Sequence, residues 1–398
     1  MKILHWDEMF HPAFGYQINV LAKYQAMQNN EVVIYTAQHP EIHPTFRGLN
    51  KVDVEKLDKE YSKKYHVKIV RLPIYGVISG RVIYKEGFIK KIKEEAPDIL
   101  MCHTNDTLSA IYIAKRYKYL NMPIVFDNHM LEMGSQNPFR KFFRMYFRYR
   151  VTPLIKKNRW KVIRTQDDTF VEREYGIPLE QAPFISFGSD INMFHPDMNV
   201  KKEFRKKYGI RLEDFVVVYT GKISEAKGGK LLALAFKEKF QASRNVVLVV
   251  VGTARSQYEL EVEDIFKQSK NRIIRFNTQN YVDLPQFYQM ADLSVFAKQC
   301  SLSFYDAQAC GLPVVSEDNN INIDRLSHRN GFVFKKGDVA DFREKIIKCI
   351  NMPQEEYQKI KENAENFIDM EYNYADISKR YTQVMQEAIE EFKQTRNN

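Results

Sequence analysis

Cysteine is scarce in this chain, and long apolar runs are absent. The four cysteines are scattered over 398 residues and none forms a C-x-x-C pair, so neither a disulfide framework nor a zinc site is predicted. No stretch approaches the roughly 18 apolar residues of a membrane span, and the N-terminal apolar run is too short for a signal peptide. We therefore expect a cytoplasmic protein in a reducing compartment, and any attachment to the inner face of the cell membrane would be peripheral.

Low-complexity tracts and short repeats are also missing, and the composition is that of a folded protein. Hydrophobic residues make up 44% of the chain and include 27 Phe and 23 Tyr, which is enough apolar surface to exclude disorder. Lys and Arg number 60 against 50 Asp and Glu, which gives a formal net charge of +10. This charge favours nucleotide phosphates, nucleic acid or an acidic membrane as partners, and no motif supports nucleic acid.

Short apolar runs alternate with helix-length amphipathic segments from end to end. This alternation is typical of parallel sheets with crossover helices, so the sequence predicts an α/β protein, and the length predicts two domains or three. The predicted strands are residues 2–6, 31–37, 67–72, 98–103, 124–129, 160–165, 215–220, 246–251, 272–276, 293–296 and 313–316.

A polar, turn-rich stretch at residues 186–202 lies near the midpoint of the chain, as an interdomain linker would. We therefore predict one α/β domain over residues 1–195 and a second over residues 196–375. Residues 376–398 are predicted to form a C-terminal helix, because apolar side chains such as Tyr381 and Met385 recur there at helical spacing. This apolar stripe must pack on another part of the protein.

The loop at residues 220–229 follows an apolar strand and opens a helix, the position at which parallel sheets bind ligands. It contains Lys222 and Lys227 beside three glycines. Two ammonium groups, together with the backbone N–H groups of a helix N-terminus, can surround a diphosphate. A solvated lysine-rich loop is the structural alternative, and the position at a strand end favours the diphosphate site.

The segment at residues 301–315 carries a carboxylate near the start of a predicted helix. Ser301 and Ser303 precede Asp306, and this carboxylate can accept hydrogen bonds from the hydroxyl groups of a sugar or ribose. The structural alternative is that Ser303 caps the helix and Asp306 completes a capping box. Both interpretations can hold, because capping and ligand binding use the same helix end.

Two weaker signals lie in the first half of the chain. Gly15 follows the first strand, where a residue without a side chain lets the backbone approach a phosphate, although the G-x-G-x-x-G fingerprint is absent. His103 and His129 each end a predicted strand, the second within Asp127-Asn128-His129. A lone histidine is more often structural than catalytic, but two on neighbouring strand ends point to a site.

Together these residues resemble the large retaining glycosyltransferase family of GT-B fold that includes bacterial mannosyl-, glucosyl- and N-acetylhexosaminyltransferases (family 4). The similarity runs over almost the whole chain and is strongest at residues 215–334. The matching features are the G-K-x4-K-G loop at 221–228, the V-V-G that ends at Gly252, D-A-Q-A-C-G-L-P-V-V at 306–315, Asn330-Gly331-Phe332, the Gly15 loop, the His129 strand end and the linker pattern at 188–196.

The resemblance implies two Rossmann-like domains facing a central cleft, with a C-terminal helix that crosses back to the N-terminal, acceptor-binding domain. It implies that Lys222 and Lys227 neutralise the diphosphate of the donor and take part in catalysis, with His129 at the donor sugar. The other donor-binding residues implied are Gly15, Gly252, Ser301, Leu302, Ser303 and Asp306, of which Asp306 would hold the ribose.

The sequence departs from the family pattern at its carboxylates. Asp306 stands at the second glutamate of the E-x7-E motif, and the first glutamate is missing because the preceding segment is shorter. We expect Ser301, Ser303 and backbone N–H groups near Leu302 to replace it. No D-x-D motif occurs, so we expect a transfer that needs neither a metal ion nor another cofactor.

The expected function is retaining transfer of a hexose or N-acetylhexosamine from a UDP- or GDP-sugar to a glycan or lipid-linked acceptor, in the synthesis of a cell-surface polysaccharide. The missing glutamate motivates an alternative of a different class. In that alternative, the chain is a catalytically silent homologue that binds a nucleotide sugar or a partner enzyme.

The segment between Glu132 and Asp167 contains ten Lys or Arg and no acidic residue. Residues 134–150 are therefore predicted to form a basic amphipathic helix that faces anionic lipids or the acceptor. A core helix with a solvated basic back is an equal alternative. The predicted apolar face is Phe139, Phe142, Phe143 and Tyr146, and the predicted basic face is Arg140, Lys141, Arg144 and Arg148.

Overall fold

The computed structural model describes residues 1–40, 54–78, 80–129, 140–298 and 301–397. The chain divides into two compact units, the first formed by Met1–Phe187 with Tyr374–Asn398 and the second by Gly188–Asn373. Each unit contains a six-stranded parallel sheet accompanied by helices. The predicted α/β class is therefore confirmed.

Six strands of the first unit form its parallel sheet, and two more pair as an antiparallel hairpin. Along the chain the strands are β1 (Lys2–Trp6), β2 (Glu31–Ala37), β3 (Val67–Leu72), β4 (Ile74–Ile78), β5 (Arg81–Tyr84), β6 (Ile99–Cys102), β7 (Ile124–Asn128) and β8 (Val162–Arg164). The sheet order is β3-β2-β1-β6-β7-β8, and β4 pairs with β5. The parallel strands confirm the sequence prediction to within two residues at each end, whereas the hairpin was not predicted.

The helices of the first unit connect these strands and cover both faces of the sheet. Burial on both faces is why β2 and β6 are apolar along most of their length. The helices are α1 (Gln17–Met27), α2 (Val54–Tyr65), α3 (Phe88–Glu95), α4 (Leu108–Lys115), α5 (Tyr117–Leu120), α6 (Arg140–Arg150), α7 (Thr152–Asn158) and α8 (Phe170–Tyr175).

The second unit repeats the same strand order. Its strands are β9 (Phe215–Thr220), β10 (Val246–Val251), β11 (Arg272–Phe276), β12 (Leu293–Phe296), β13 (Val314–Glu317) and β14 (Gly331–Phe334), in the sheet order β11-β10-β9-β12-β13-β14. Its helices are α9 (Met198–Lys207), α10 (Gly229–Ala235), α11 (Gln257–Lys267), α12 (Pro285–Gln289), α13 (Ser303–Ala309), α14 (Asn320–Arg325), α15 (Val339–Ile350) and α16 (Gln354–Glu371). Strand β14 was not predicted.

The last helix, α17 (Tyr374–Asn397), belongs to the first unit. Its apolar stripe is buried, with Tyr381 and Met385 fully enclosed. Gln17 of α1 donates a hydrogen bond to the Tyr381 hydroxyl, and Gln25 of α1 donates one to Met385 Sδ at 3.6 Å. The predicted packing of the stripe is therefore confirmed, and α1 is the helix that receives it.

The apolar and basic faces predicted for α6 differ from those in the structure. Phe147 is fully buried and Phe143 packs beside it, whereas Phe142 is 68% exposed. Arg144, predicted on the basic face, forms an ion pair with Glu174 at 2.6 Å. The helix is therefore anchored in the core through Phe143 and Phe147, positions four apart, and Phe142 does not share their face.

The exposed side of α6 combines aromatic and basic side chains. Tyr149 is 70% exposed, and Met145 and Tyr146 are also exposed, next to Arg140, Lys141 and Arg148. Phe139 lies outside the described residues. Among the described helices, none is both long enough and apolar enough to cross a bilayer.

Candidate functional site

Three strand ends of the second unit meet beside the lysine-containing loop. The carboxyl ends of β10, β9 and β12 are adjacent, because β9 lies between the other two. After β9 the chain forms β10 and β11 on one side of it, and then returns to form β12 on the other side. The carboxyl ends of these strands are therefore a topological switch point, where open α/β sheets bind ligands.

Glycine is required where the loop is pressed against its neighbours. A Cβ atom on Gly252, which follows β10, would lie 2.1 Å from the carbonyl oxygen of Gly221. A Cβ atom on Gly229, the first residue of α10, would lie 2.0 Å from the carbonyl oxygen of Ile223. Both distances are far below any tolerable contact, so these glycines allow the loop to fold closely onto the end of the sheet.

The two predicted lysines occupy different parts of this loop. Lys222 is exposed, and its carbonyl oxygen accepts a hydrogen bond from the Tyr219 hydroxyl at 2.6 Å. Lys227 ends a short 3-10 helix, Glu225–Lys227, directly before Gly228. Lys227 lines a small recess of about 20 Å³ at the ends of β9 and β12, together with Gly221 and Ser301.

The structure therefore brings Lys227 and Ser301 to one recess, whereas Lys222 does not line it. The recess is about the size of a single water molecule, and its walls also include Tyr219, Thr220, Phe296 and Ala297.

The start of α13 differs from the predicted capping box. Ser303 is the first helical residue, and the N-cap residue is Leu302, which provides no side-chain hydrogen bond. The Ser301 hydroxyl lies 3.4 Å from the Ser303 hydroxyl instead of reaching a backbone N–H group of the helix. The capping interpretation of Ser303 and Asp306 is therefore wrong, because the chain enters the helix one residue earlier than the box requires.

Asp306 is buried and bonded to side chains that are distant in sequence. Its Oδ1 accepts hydrogen bonds from the Ser189 hydroxyl at 2.8 Å and from the Tyr281 hydroxyl at 3.3 Å. Both of these hydrogen bonds reach Oδ1, and neither uses Oδ2. The predicted contact with a ribose hydroxyl would therefore have to use Oδ2.

Burial also changes the ionisation of this carboxyl group. Desolvation raises the pKa of Asp306 to about 7, against the smaller opposing effect of the hydrogen bonds from Ser189 and Tyr281. At neutral pH the group is therefore close to half protonated and can donate as well as accept a hydrogen bond.

In the first unit, a cluster of polar side chains lies at the ends of three adjacent strands. β1 lies beside β6, and β6 lies beside β7. His103 follows β6, and its Nδ1 lies 2.8 Å from Asp127 Oδ2 on β7. His129 follows β7, and its Nε2 lies 3.1 Å from the same Asp127 oxygen. The structure therefore brings the two predicted histidines together around one carboxylate.

The charges in this cluster depend on one another. Burial alone would raise the pKa of Asp127, but the neighbouring His129 and His103 outweigh it and hold that pKa well below its usual range. Burial would lower the pKa of His103, yet Asp127 raises it above the ordinary value. The carboxylate is therefore ionised, and its positive counter-charge resides on histidine.

Among the described residues, these three side chains are close enough together to hold a metal ion, because their ligand atoms lie within 4.8 Å of one another. The 2.8 Å contact of His103 Nδ1 with Asp127 Oδ2 is also a hydrogen bond, whereas His129 Nε2, although 3.1 Å from the same oxygen, forms no hydrogen bond with the described residues.

Some residues of these sites could not be identified from the sequence. Ser189 and Tyr281 hold Asp306, and His5 contacts His103, but no motif marks any of the three. Gly15 is half-buried in the loop between β1 and α1, and it has no described contact with the histidine cluster.

Two family models match this chain, one in each unit. The model described as "Glycosyltransferase Family 4" matches residues 16–161, and "Glycosyl transferases group 1" matches residues 200–367.

The curated relatives include the lipopolysaccharide 1,2-N-acetylglucosaminetransferase of Salmonella typhimurium, 27% identical over 47% of this chain and 52% of the relative. The capsular polysaccharide biosynthesis glycosyltransferase CapM of Staphylococcus aureus is 28% identical over 42% of this chain and 44% of the relative. The chain thus spans about half the length of these curated relatives.

Solved structures share the fold over almost the whole chain. A glycosyltransferase from Rickettsia africae superposes with a TM-score of 0.75 at 15% identity and covers 98% of both chains. Anabaena Alr3699/HepE in complex with UDP and glucose superposes with a TM-score of 0.72 at 19% identity and covers 97% of this chain and all of its own. The fold is therefore GT-B, as the resemblance implied.

The buried Asp306 carboxyl predicts a stability change that depends on pH. Its folded-state pKa of about 7 exceeds the ordinary value of 3.8, so the folded state binds the proton more tightly, and stability is lost as the pH rises from about 4 to about 7. Asp306→Asn keeps a carbonyl acceptor and cannot ionise. We expect this variant to exceed the wild type in free energy of unfolding by on the order of 4 kcal/mol at pH 8.5, with no gain at pH 4.

Urea denaturation at the two pH values measures this difference. Asp318→Asn, which changes an exposed carboxylate of the same unit, is the matched control and should show no such pH dependence. A gain for Asp306→Asn that is equal at both pH values would contradict the assignment.

Proposed function

Since this chain belongs to the GT-B glycosyltransferases of family 4, the glycosyl transferases group 1, we propose that it transfers a hexose or N-acetylhexosamine from a UDP- or GDP-sugar. The proposed acceptor is a glycan or lipid-linked saccharide in cell-surface polysaccharide synthesis. The lipopolysaccharide and capsule enzymes among its relatives support this acceptor class, and the UDP held by HepE supports a UDP-linked donor.

The observation that carries the proposal is the recess at the ends of β9 and β12. Lys227, Gly221 and Ser301 share its walls, and the close packing of Gly252 on Gly221 leaves the loop backbone at the surface of the strand ends. In this proposal the diphosphate lies over that loop. Lys222, on the exposed side of the loop, supplies the second ammonium group.

The proposed chemistry is cleavage of the bond between the anomeric carbon and the diphosphate. Negative charge then develops on the leaving phosphate, and preorganised cations are most effective where charge develops. Lys222 and Lys227 are proposed to neutralise it. From the family resemblance we propose that the anomeric configuration is retained. The leaving phosphate would help to deprotonate the acceptor hydroxyl, and His129 would contact the donor sugar.

Removing one of the two ammonium groups should slow transfer strongly. We expect Lys227→Ala to lose on the order of 10²–10³ in kcat, since deletion of one charge-stabilising donor typically costs that much. The measurement is nucleotide release from UDP- and GDP-sugars in the presence of lipid-extracted acceptors. Lys267→Ala, on the exposed face of α11, is the control and should keep wild-type turnover.

Release of no nucleotide by the wild type with any of these donors would favour the catalytically silent alternative. Unchanged turnover of Lys227→Ala would remove this lysine from the proposed mechanism while leaving the family assignment intact.

The proposed transfer uses the protein's own cations on the diphosphate, so chelation should leave it intact. We expect turnover after dialysis against EDTA to stay within about twofold of the untreated protein, because Lys222 and Lys227 supply the charge that Mg²⁺ provides elsewhere. Loss of turnover with EDTA, restored by added Mg²⁺ or Mn²⁺, would contradict metal independence.

We further propose that the exposed side of α6 attaches the enzyme to an anionic membrane. Phe142 and Tyr149 are 68% and 70% exposed, and exposed aromatic side chains interleaved with basic ones are typical of helices that lie in a membrane interface. Phe143 and Phe147 pack against the core, so this helix would bind lipid with its outward side while remaining part of the fold.

Sedimentation with anionic vesicles tests this attachment. Each basic side chain near such a surface contributes about 1 kcal/mol, so we expect Lys141→Ala/Arg150→Ala to bind about 30-fold more weakly at low salt. Lys63→Ala/Lys64→Ala, which removes two basic residues of α2 in the same unit, is the control. No binding of the wild type to anionic vesicles at low salt would contradict the proposal.

A further inference from the structure

A cavity of about 310 Å³ lies at the amino ends of β7 and β8 in the first unit. Ile124, which lines it, begins β7, and Trp160, which also lines it, lies two residues before β8. The histidine cluster lies at the other end of β7, about 13 Å away along the strand. The cavity is therefore separate from the sites described above, and its volume is at the lower end of the range for small-ligand sites.

The interior of this cavity is apolar and aromatic. Trp160 is 6% exposed, and its ring meets the ring of Tyr117 edge to face, with 5.5 Å between the centroids. Phe392 of α17 lines the cavity, together with the aliphatic side chains of Met122, Pro123, Ile124 and Ala388. These walls suit an apolar part of a ligand.

The edge of the cavity carries positive charge from all three helices around it. We call Lys118 of α5, Lys157 of α7, Arg159 directly after α7, and Arg396 of α17 the basic rim; all four are exposed. Within the described part of the chain, the first three form no ion pair, and the Arg396 guanidinium donates to the neutral side chain of Asn121. The charge of the basic rim is therefore uncompensated.

Two other sources of negative charge lie at this cavity, and both are too weak to cancel the basic rim. Glu391 lines the cavity, but it is paired with Lys161 at 2.9 Å. Helices α5, α7 and α17 also end here, and a helix C-terminus carries a partial negative charge of about half an elementary charge. Basic residues are common at such ends for structural reasons, yet four full positive charges exceed the total of about 1.5 negative charges from three helices. The cavity therefore favours an anion.

The neutral polar groups of the cavity are already engaged with the protein. Asn121 Oδ1 accepts from Arg396, and Asn158 Nδ2 donates at 2.8 Å to a backbone carbonyl of α7. The Thr395 hydroxyl donates to a backbone carbonyl of its own helix at 2.6 Å. Few groups remain that could recognise the hydroxyls of a saccharide or the edge of a base. A ligand with one compact anionic group and an apolar body fits this cavity better than a sugar or a nucleotide does.

The cavity lies close to the helix that is proposed to meet an anionic membrane. Lys115 Nζ, at the end of α4, donates to the Tyr146 hydroxyl of α6 at 2.5 Å, and Tyr117 and Lys118 follow Lys115 by two and three residues. Helix α7 begins two residues after α6 ends. A membrane at α6 would therefore supply lipids that combine an anionic headgroup with an apolar chain.

We propose that this cavity binds one phosphate-bearing lipid, with its phosphate at the basic rim and the adjoining acyl segment against Trp160. The inference deepens the proposed membrane attachment and rests on it for the source of the lipid. The exposed side of α6 would bind a membrane through its general charge, whereas this cavity would bind a single lipid molecule in a saturable manner.

A lipid that is short enough to remain monomeric tests the cavity without a membrane. Below its critical micelle concentration, dihexanoylphosphatidic acid should bind the wild type with a stoichiometry of about one by titration calorimetry. The chain has two Trp, of which Trp160 lines the cavity and Trp6 lies in β1, so a change in Trp fluorescence reports occupancy of the cavity.

Removing charge from two walls of the cavity should weaken this binding. We expect Lys118→Ala/Lys157→Ala to raise the Kd for dihexanoylphosphatidic acid about 30-fold, because two charge-assisted contacts with the phosphate are lost. Both side chains are exposed, so the fold should be unaffected. Lys63→Ala/Lys64→Ala in α2 is the control and should keep the Kd of the wild type.

Two further ligands separate the phosphate from the acyl chains. Glycerol 3-phosphate lacks the chains and dihexanoylglycerol lacks the phosphate, so each should bind at least about tenfold more weakly than the complete lipid. Equal binding of glycerol 3-phosphate would indicate a site for a free anion, and equal binding of dihexanoylglycerol would indicate an apolar site. Either result, an unchanged Kd in Lys118→Ala/Lys157→Ala, or no saturable binding by the wild type would overturn the proposal.

The cavity and the membrane attachment can fail separately. Lys141→Ala/Arg150→Ala in α6 should lose binding to vesicles and keep the wild-type Kd for dihexanoylphosphatidic acid. A wild type that binds this lipid but does not sediment with anionic vesicles would contradict the membrane attachment and support the lipid site. Sedimentation with vesicles but no saturable binding of the short lipid would overturn the lipid site and leave the attachment standing.

Discussion

The constraint on which both sites depend is that parallel strands end together at one edge of their sheet. In the second unit this edge brings Gly221 and Lys227, which follow β9, next to Gly252, which follows β10, and Ser301, which follows β12. In the first unit it brings His5, His103 and Asp127 together from β1, β6 and β7. Residues that follow different strands therefore meet, although those strands are distant in sequence.

The two edges have different electrostatic characters. In the second unit, cationic side chains lie on a glycine-rich loop that is partly open to solvent, a suitable arrangement for an anion. In the first unit, the charges are buried and compensated within the protein, from Gln25 through to Asp127. The first arrangement is open to an anion from solvent, whereas in the second the charge of Asp127 is compensated by neighbouring histidine within the protein.

The sheets were largely predictable from the sequence, because strands buried on both faces are continuous runs of Val, Ile and Leu. Strands β9 and β10 have the bounds that the apolar pattern predicts. The hairpin β4–β5 was missed because its strands are short, partly exposed and interrupted by Gly76. The face of α6 was misassigned because the aromatic pattern alone does not reveal which ring reaches the core, and Phe147 does so.

The positions of the site residues were easier to predict than their partners. Glycines and lysines at strand ends mark the loop, since the chemistry of that loop is local. The environment of Asp306 depends on Ser189 and Tyr281, which are 117 and 25 residues away, and no local pattern encodes such contacts.

The most direct test of the central claim is a crystal structure with a bound nucleoside diphosphate. The account predicts the Nζ atoms of Lys222 and Lys227 within about 3 Å of phosphate oxygens, and a diphosphate bound elsewhere, with both amines directed into solvent, would contradict it.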